Sequence, residues 1–294
     1  MQLNWPYEGA TPLAQDAPRF AQAGSNICLD FHGDPRASRL VVFSDGNHHM
    51  ALADALAAFR QRHPSVNDVF YATTPPRVVE HAMKAGFLAV GHLCLSVVPH
   101  VFIGPAPLLE RLAREGRISD PRPLAASRGI VMLVRKGNPS RIASIADLAR
   151  EDVRLFLSNP STESVSFQAY ATTLQRLAAR QGIDMSFIDR PPGASSRVVF
   201  GECIHHREAP QCLADDRADV AVVFHHLALR YTRVFPEMFD LVPLTGDGDP
   251  DQAIGRTAIA KVGDGGEWGP RLVEFMLGEE VARMYREHGL DPAR

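Results

Sequence analysis

Leu40-Val41-Val42-Phe43 is an apolar run of strand length, Ser44-Asp45-Gly46-Asn47 breaks it, and Leu52, Leu56 and Phe59 then recur at helical spacing. This order returns. Val69–Tyr71 is followed by Thr73-Thr74-Pro75-Pro76 and a helical pattern through Lys84, and Val153–Leu157 by Ser158-Asn159-Pro160-Ser161-Thr162 and a helix from Glu163 to Ala179. Val220–Phe224 runs into His225-His226 and a further helix. Strands delivered repeatedly into helices pack as layered α/β sheets, largely parallel, whose ligands bind beyond the carboxyl ends of the strands.

At 294 residues, the chain is long enough for two lobes of ordinary size. Residues 1–37 carry Pro6, Pro12, Pro18 and Pro35 with little periodicity and are expected to form an irregular extension. Ile130–Val134, closed by Arg135-Lys136-Gly137-Asn138-Pro139, reads as a strand at a crossing between lobes, and the last helix is expected to end near Gly289. The near balance of 31 Lys+Arg against 34 Asp+Glu lacks the basic footprint of a nucleic-acid partner. No run of eighteen apolar residues predicts insertion into a membrane.

Cys28, Cys94, Cys203 and Cys212 lack paired CxxC spacing and read as free thiols, although Cys203 and Cys212 can pair if the loop between them folds back. Free thiols point to a reducing compartment. Met1–Phe20, with neither a basic nor a continuous apolar stretch, likewise points to the cytoplasm.

Four stretches together resemble the type II periplasmic solute-binding proteins, most closely their molybdate-binding branch. Gly129–Pro139 (GIVMLVRKGNP) with Ile145–Leu148 is similar to the family's crossover strand and following short helix. Ser158–Glu163 (SNPSTE) resembles its helix-opening ligand loop, and Ala218–Phe224 (ADVAVVF) the strand that delivers a ligand residue from the second lobe. Val273–Glu280 (VEFMLGEE) is similar to the closing helix. The resemblance implies a two-lobed clamshell, each lobe a mostly parallel sheet flanked by helices, with residues 38–130 and 250–294 in lobe 1 and 131–249 in lobe 2. It further implies a non-catalytic receptor that captures a small inorganic solute for an ABC permease, in the periplasm, with no cofactor beyond the solute itself.

Helix amino termini present unpaired N–H groups and a positive dipole end, so several converging turns make an anion site without any cationic side chain. Ser44, Asn47, Thr73, Thr74, Ser158, Ser161 and Thr162 stand in such turns and suit an oxyanion such as molybdate, tungstate or sulfate. The same residue types are also the commonest helix caps, which is the plainer reading of each.

Histidine supplies a competing chemistry. Of the twelve in the chain, six form the adjacent pairs His48-His49, His205-His206 and His225-His226, all beside those turns or at a helix start. Neutral imidazole suits zinc, nickel or copper, and one ring from each pair, His49, His205 and His225, composes a transition-metal set. The alternative is that all three pairs cap helices or donate to an oxyanion. Asp30-Phe31-His32-Gly33-Asp34 has the alternation of a metallohydrolase ligand run but reads more simply as a turn. A cytosolic enzyme or sensor on the clamshell scaffold stands as the further alternative, although the sequence carries no nucleophile elbow, P-loop or dinucleotide fingerprint.

Overall fold

All five residues of Leu40–Ser44, and all five of Val69–Thr73, are buried, as strands covered on both faces must be. The structure is a computed structural model that describes residues 3, 30–90, 93–191, 193, 197–202, 204–246 and 248–293. These divide into two compact units, one holding residues 30–126 and 255–293, the other Leu3 and 127–254.

The first unit begins with β1 (Asp30–His32), β2 (Leu40–Ser44), α1 (His49–Arg62), β3 (Val69–Thr73), α2 (Pro76–Ala85) and the hairpin β4 (Leu88–Val90) and β5 (Leu93–Leu95). It continues through β6 (Val101–Pro105), α3 (Ala106–Arg114) and β7 (Ile118–Ser127). The second unit contains β8 (Ile130–Arg135), α4 (Ile145–Leu148), β9 (Leu155–Leu157), α5 (Ser164–Ala179) and β10 (Val198–Phe200), then α6 (His205–Ala214), β11 (Val220–Phe224), α7 (His225–Val234) and β12 (Phe239–Pro243). The chain then returns to the first unit with β13 (Arg256–Val262), α8 (Gly269–Met276), α9 (Glu279–Glu287) and β14 (Leu290–Pro292).

A seven-stranded sheet of order β1-β3-β2-β6-β13-β7-β14 forms the first unit and a five-stranded sheet of order β10-β9-β11-β8-β12 the second. Both sheets are mixed. Parallel pairing joins the strands followed by helices, β3-β2-β6 in one sheet and β10-β9-β11 in the other. The strands next to a crossing segment, β8 and β13, pair antiparallel. Within the stretch expected to be irregular, Asp30–His32 pairs with β3. Gly33 turns the chain after it at φ +83°, where a Cβ would lie 2.3 Å from the carbonyl oxygen of Val69.

Side-chain alternation sorts each sheet into two cores. Leu40, Val42 and Tyr71 pack with α1, α8 and α9, while Val41, Phe43 and Phe70 pack with α2 and α3. In the second unit Met132, Leu155 and Val222 meet α4 and α5, while Leu133, Phe156 and Val223 meet α6 and α7. Gly289, at φ +80°, follows α9 as expected from the sequence. Among the described cysteines, Cys94 and Cys212 are free thiols; Cys28 and Cys203 lie outside the described residues. No helix among the described residues is long and apolar enough to cross a membrane.

Candidate functional site

In the seven-stranded unit, parallel register sets Ser44 beside Thr73 at the carboxyl ends of β2 and β3. The Thr74 N–H donates to the Ser44 carbonyl at 2.8 Å, which joins the two loops directly. The Thr74 hydroxyl is buried with no hydrogen-bond partner. The cap residues of α1 and α2, His48 and Pro75, make no side-chain bond into the first turn of either helix. Asn47 donates its N–H to the Asp45 carboxylate at 3.0 Å, and the His49 ring bonds the Gly46 carbonyl at 2.8 Å.

His48 is the centre of a chain of polar contacts. Its Nε2 lies 2.9 Å from the Ser44 hydroxyl and its Nδ1 lies 2.9 Å from the Tyr285 hydroxyl. Because the Ser44 hydroxyl donates to the Asp45 carbonyl at 3.1 Å, the imidazole Nε2–H donates to Ser44 and Tyr285 donates to Nδ1. Every group in that direction of donation is satisfied, and the serine proton faces away from the imidazole, the reverse of an activated nucleophile. Burial depresses the pKa of His48 and His49, so both rings are neutral.

In the five-stranded unit, Ser158 directly follows β9 and is fully buried, and its hydroxyl has no partner. Asn159 shapes the loop: its Oδ1 accepts the Ser161 N–H at 2.9 Å and its Nδ2 donates to the Gly201 carbonyl at 3.2 Å. Ser161 and Thr162 are exposed. Glu163, the cap residue of α5, reaches instead to α6, where its carboxylate accepts the His205 N–H at 2.9 Å. Burial, opposed by that N–H and reinforced by the nearby Glu208 charge, pushes the Glu163 carboxyl up to about 7. Glu208 accepts the Glu202 and Ile204 N–H groups, so two carboxylates already occupy the amino end of α6.

Each histidine pair splits. His48, His205 and His226 are buried while His49, His206 and His225 are half-buried, because consecutive residues at a helix start point about 100° apart. His205 stacks on Phe156 with centroids 4.8 Å apart and touches Tyr170 at 5.4 Å. Its ring donates to the Phe156 carbonyl while Nε2 has no partner, and burial takes its pKa down to about 3. His226 stacks on Phe224 at 5.8 Å, and the His225 N–H donates to the Gly129 carbonyl at 2.9 Å.

Ser44, Asn47, His48, His49, Thr73 and Thr74 therefore form one cluster at the carboxyl edge of their sheet. Ser158, Ser161, Thr162, His205, His206, His225 and His226 flank the corresponding edge of the other, at the end of β9 and the starts of α6 and α7. Among the described residues, no three His, Cys, Asp or Glu side chains are grouped as a metal site requires. His32 stacks on Tyr71 at 4.3 Å and Asp34 binds Arg36, so the two are committed to different partners; the Asp30 side chain lies outside the described residues. Asp45, Glu163, Tyr170 and Tyr285 belong to the clusters but were not singled out from the sequence. For Glu163 a signal existed, since it closes the SNPSTE loop seven residues before Tyr170 on the same helix face.

A family model described as bacterial extracellular solute-binding protein matches residues 40–291. No protein of curated function matches the chain by sequence. Among solved structures, the periplasmic molybdate-binding protein of Azotobacter vinelandii is similar at 14% identity and a TM-score of 0.61, over 87% of this chain and 100% of that one. The sulfate-binding protein SubI of Mycobacterium tuberculosis is similar at 14% identity and 0.62, over 87% and 88%. Iron-bound HitA of Pseudomonas aeruginosa is similar at 15% identity and 0.60, over 87% and 86%. At these identities the likeness establishes the fold.

Proposed function

The chain belongs to the bacterial extracellular solute-binding protein family, whose members bind a small solute for an ABC-type transporter, and from that premise we propose that its solute is a tetrahedral oxyanion, the class to which molybdate, tungstate, sulfate and phosphate belong. Each unit, taken by itself, offers a surface for it: the loop cluster at the carboxyl ends of β2 and β3 in the first, and the cluster at the carboxyl ends of β9 and β11 in the second. The observation that carries this reading is that, of the three buried serine and threonine hydroxyls without a partner among the described residues, Ser38, Thr74 and Ser158, two fall in these clusters: Thr74 Oγ1 in the first and Ser158 Oγ in the second. Buried polar groups are almost always hydrogen-bonded, so hydroxyls left open beside uncapped helix starts call for an acceptor from outside the chain. Relatives of the same fold that bind molybdate and sulfate support the class.

Capture without turnover is the expected behaviour of a solute-binding protein, and the Ser44 hydroxyl, donating to the Asp45 carbonyl, turns its proton away from the His48 ring. A transition metal is the second reading, supported by the iron-bound relative and by the open Nε2 of His205. It draws less support, because no three ligand side chains are grouped among the described residues.

Thermal denaturation of the full chain with millimolar molybdate, tungstate, sulfate and phosphate, against zinc, nickel and copper, tests the reading. A rise in melting temperature with one or more oxyanions and none with the metals is expected. A rise with metals alone transfers the function to the second reading, and no rise with either defeats both. Elemental analysis of the purified protein gives an independent answer through bound molybdenum or tungsten.

A further inference from the structure

His205 opens α6 and is 1% exposed, its imidazole lying flat on Phe156 and against Tyr170. A neutral imidazole owns one N–H. That proton is spent on the Phe156 carbonyl, and since Nε2 has no partner it is Nδ1 that donates. Nε2 therefore presents a bare lone pair in a buried place, where an unmet acceptor is costly.

Among the described residues, none supplies the missing donor. The Glu163 and Glu208 carboxylates are turned to backbone N–H groups of Glu202, Ile204 and His205, and Asn159 spends its amide on the Gly201 carbonyl. Ser158, the other open group, is set close by: the Gly201 N–H bonds the Leu157 carbonyl at 3.0 Å, and a Cβ on Gly201 would stand 3.1 Å from the His205 Cα. The loop end of β9 thus holds a hydroxyl that can donate and an imidazole nitrogen that can only accept.

We propose that His205 Nε2 accepts a hydrogen bond from the solute, so that the oxyanion recognised here carries a proton of its own, as hydrogen phosphate or hydrogen arsenate does. The inference rests on the oxyanion reading above and narrows it. An oxyanion without a proton brings only lone pairs, and at Nε2 it meets another lone pair. A site built to bond a ligand O–H rejects the analogue lacking it by factors that reach about 10⁴. A transition metal also fits one lone pair, but one imidazole is a poor cage, and among the described residues no second and third ligand stand with it.

The test is titration calorimetry of the full chain at about pH 7.5 with inorganic phosphate, sulfate and molybdate, of which only phosphate is protonated. The wild-type protein is expected to bind phosphate at least about 100-fold more tightly than sulfate or molybdate. His205→Phe keeps a flat ring over Phe156 without the lone pair and is expected to bring the ratio to within about tenfold. Ser158→Ala is expected to weaken all three anions together and to leave the ratio in place. Sulfate or molybdate binding as tightly as phosphate overturns the proposal while leaving the oxyanion reading intact, as does an undiminished ratio in His205→Phe. Failure of all three to bind overturns both, and zinc or nickel binding without phosphate does the same. The wild-type ratio decides the matter if His205→Phe does not fold.

Discussion

Gln252 closes on both polar groups of Ile130: its Oε1 accepts the Ile130 N–H at 2.8 Å and its Nε2 donates to the Ile130 carbonyl at 3.2 Å. The chain enters and leaves the five-stranded unit here, and one side chain ties the two passages. Gly129 makes room for it, at φ +88° with a Cβ position 2.6 Å from the Gln252 oxygen. Gln252→Ala strips the Ile130 N–H of its acceptor and is expected to cost about 1–3 kcal/mol in chemical denaturation. Gly129→Ala, strained as well as crowded, is expected to lower stability too, and wild-type midpoints in both variants would contradict the tie.

Tyr285 and His48 are 237 residues apart in sequence, and both are buried. Tyr285→Phe removes the donor to His48 Nδ1 without opening space, so the loss is that of one buried hydrogen bond, about 1–3 kcal/mol. Calorimetric unfolding checks it. An unchanged melting temperature would mean that the His48 network contributes nothing to the fold.

Thr74 and Ser158 give opposite signs in two measurements. A hydroxyl that merely caps a helix stabilises the empty protein, so Ala or Val in its place lowers stability by about 1 kcal/mol. These hydroxyls are unpartnered. Thr74→Val and Ser158→Ala are therefore expected to leave the empty protein as stable or more so, and to weaken anion affinity about 10- to 100-fold, the worth of a hydrogen bond to a charged group. Reduced stability with unchanged affinity would return both residues to a structural role.

Glu163 makes stability depend on pH. Its carboxyl is raised by burial from 4.5 to about 7, so the folded protein holds the proton more tightly than the unfolded chain does. The resulting stabilisation is complete below the ordinary carboxylate pKa and is lost as pH rises through about 7. Glu163→Gln keeps an acceptor for the His205 N–H and cannot ionise. Its urea midpoint is expected to fall less than that of the wild type between about pH 5 and pH 8. Parallel falls in the two proteins would show that Glu163 does not titrate in this range.

The parallel halves of both sheets were legible because buried parallel strands are continuous apolar runs, as at Leu40–Phe43 and Val220–Phe224, and each ends in a polar turn. β13 was not. Arg256–Val262 mixes charged and apolar residues, and only its antiparallel place between β6 and β7 makes it a strand. The candidate site was half legible for a related reason. Ser44, Thr73, Thr74 and Ser158 follow strands by sequence order alone, whereas Tyr285 reaches His48 and Glu163 reaches His205 across contacts that no local pattern encodes. Which ring of each histidine pair is buried depends on the rotation of its helix against the sheet, a tertiary quantity.

β13 sits between β6 and β7, yet it is made only after all of the five-stranded unit. A nascent chain emerging from the ribosome can complete residues 127–254 as one continuous piece, while the earlier strands wait with two unfilled edges, the kind of surface that invites pairing with another chain. Between the translation of Ser127 and that of Arg256, β6 and β7 are therefore without the strand that joins them.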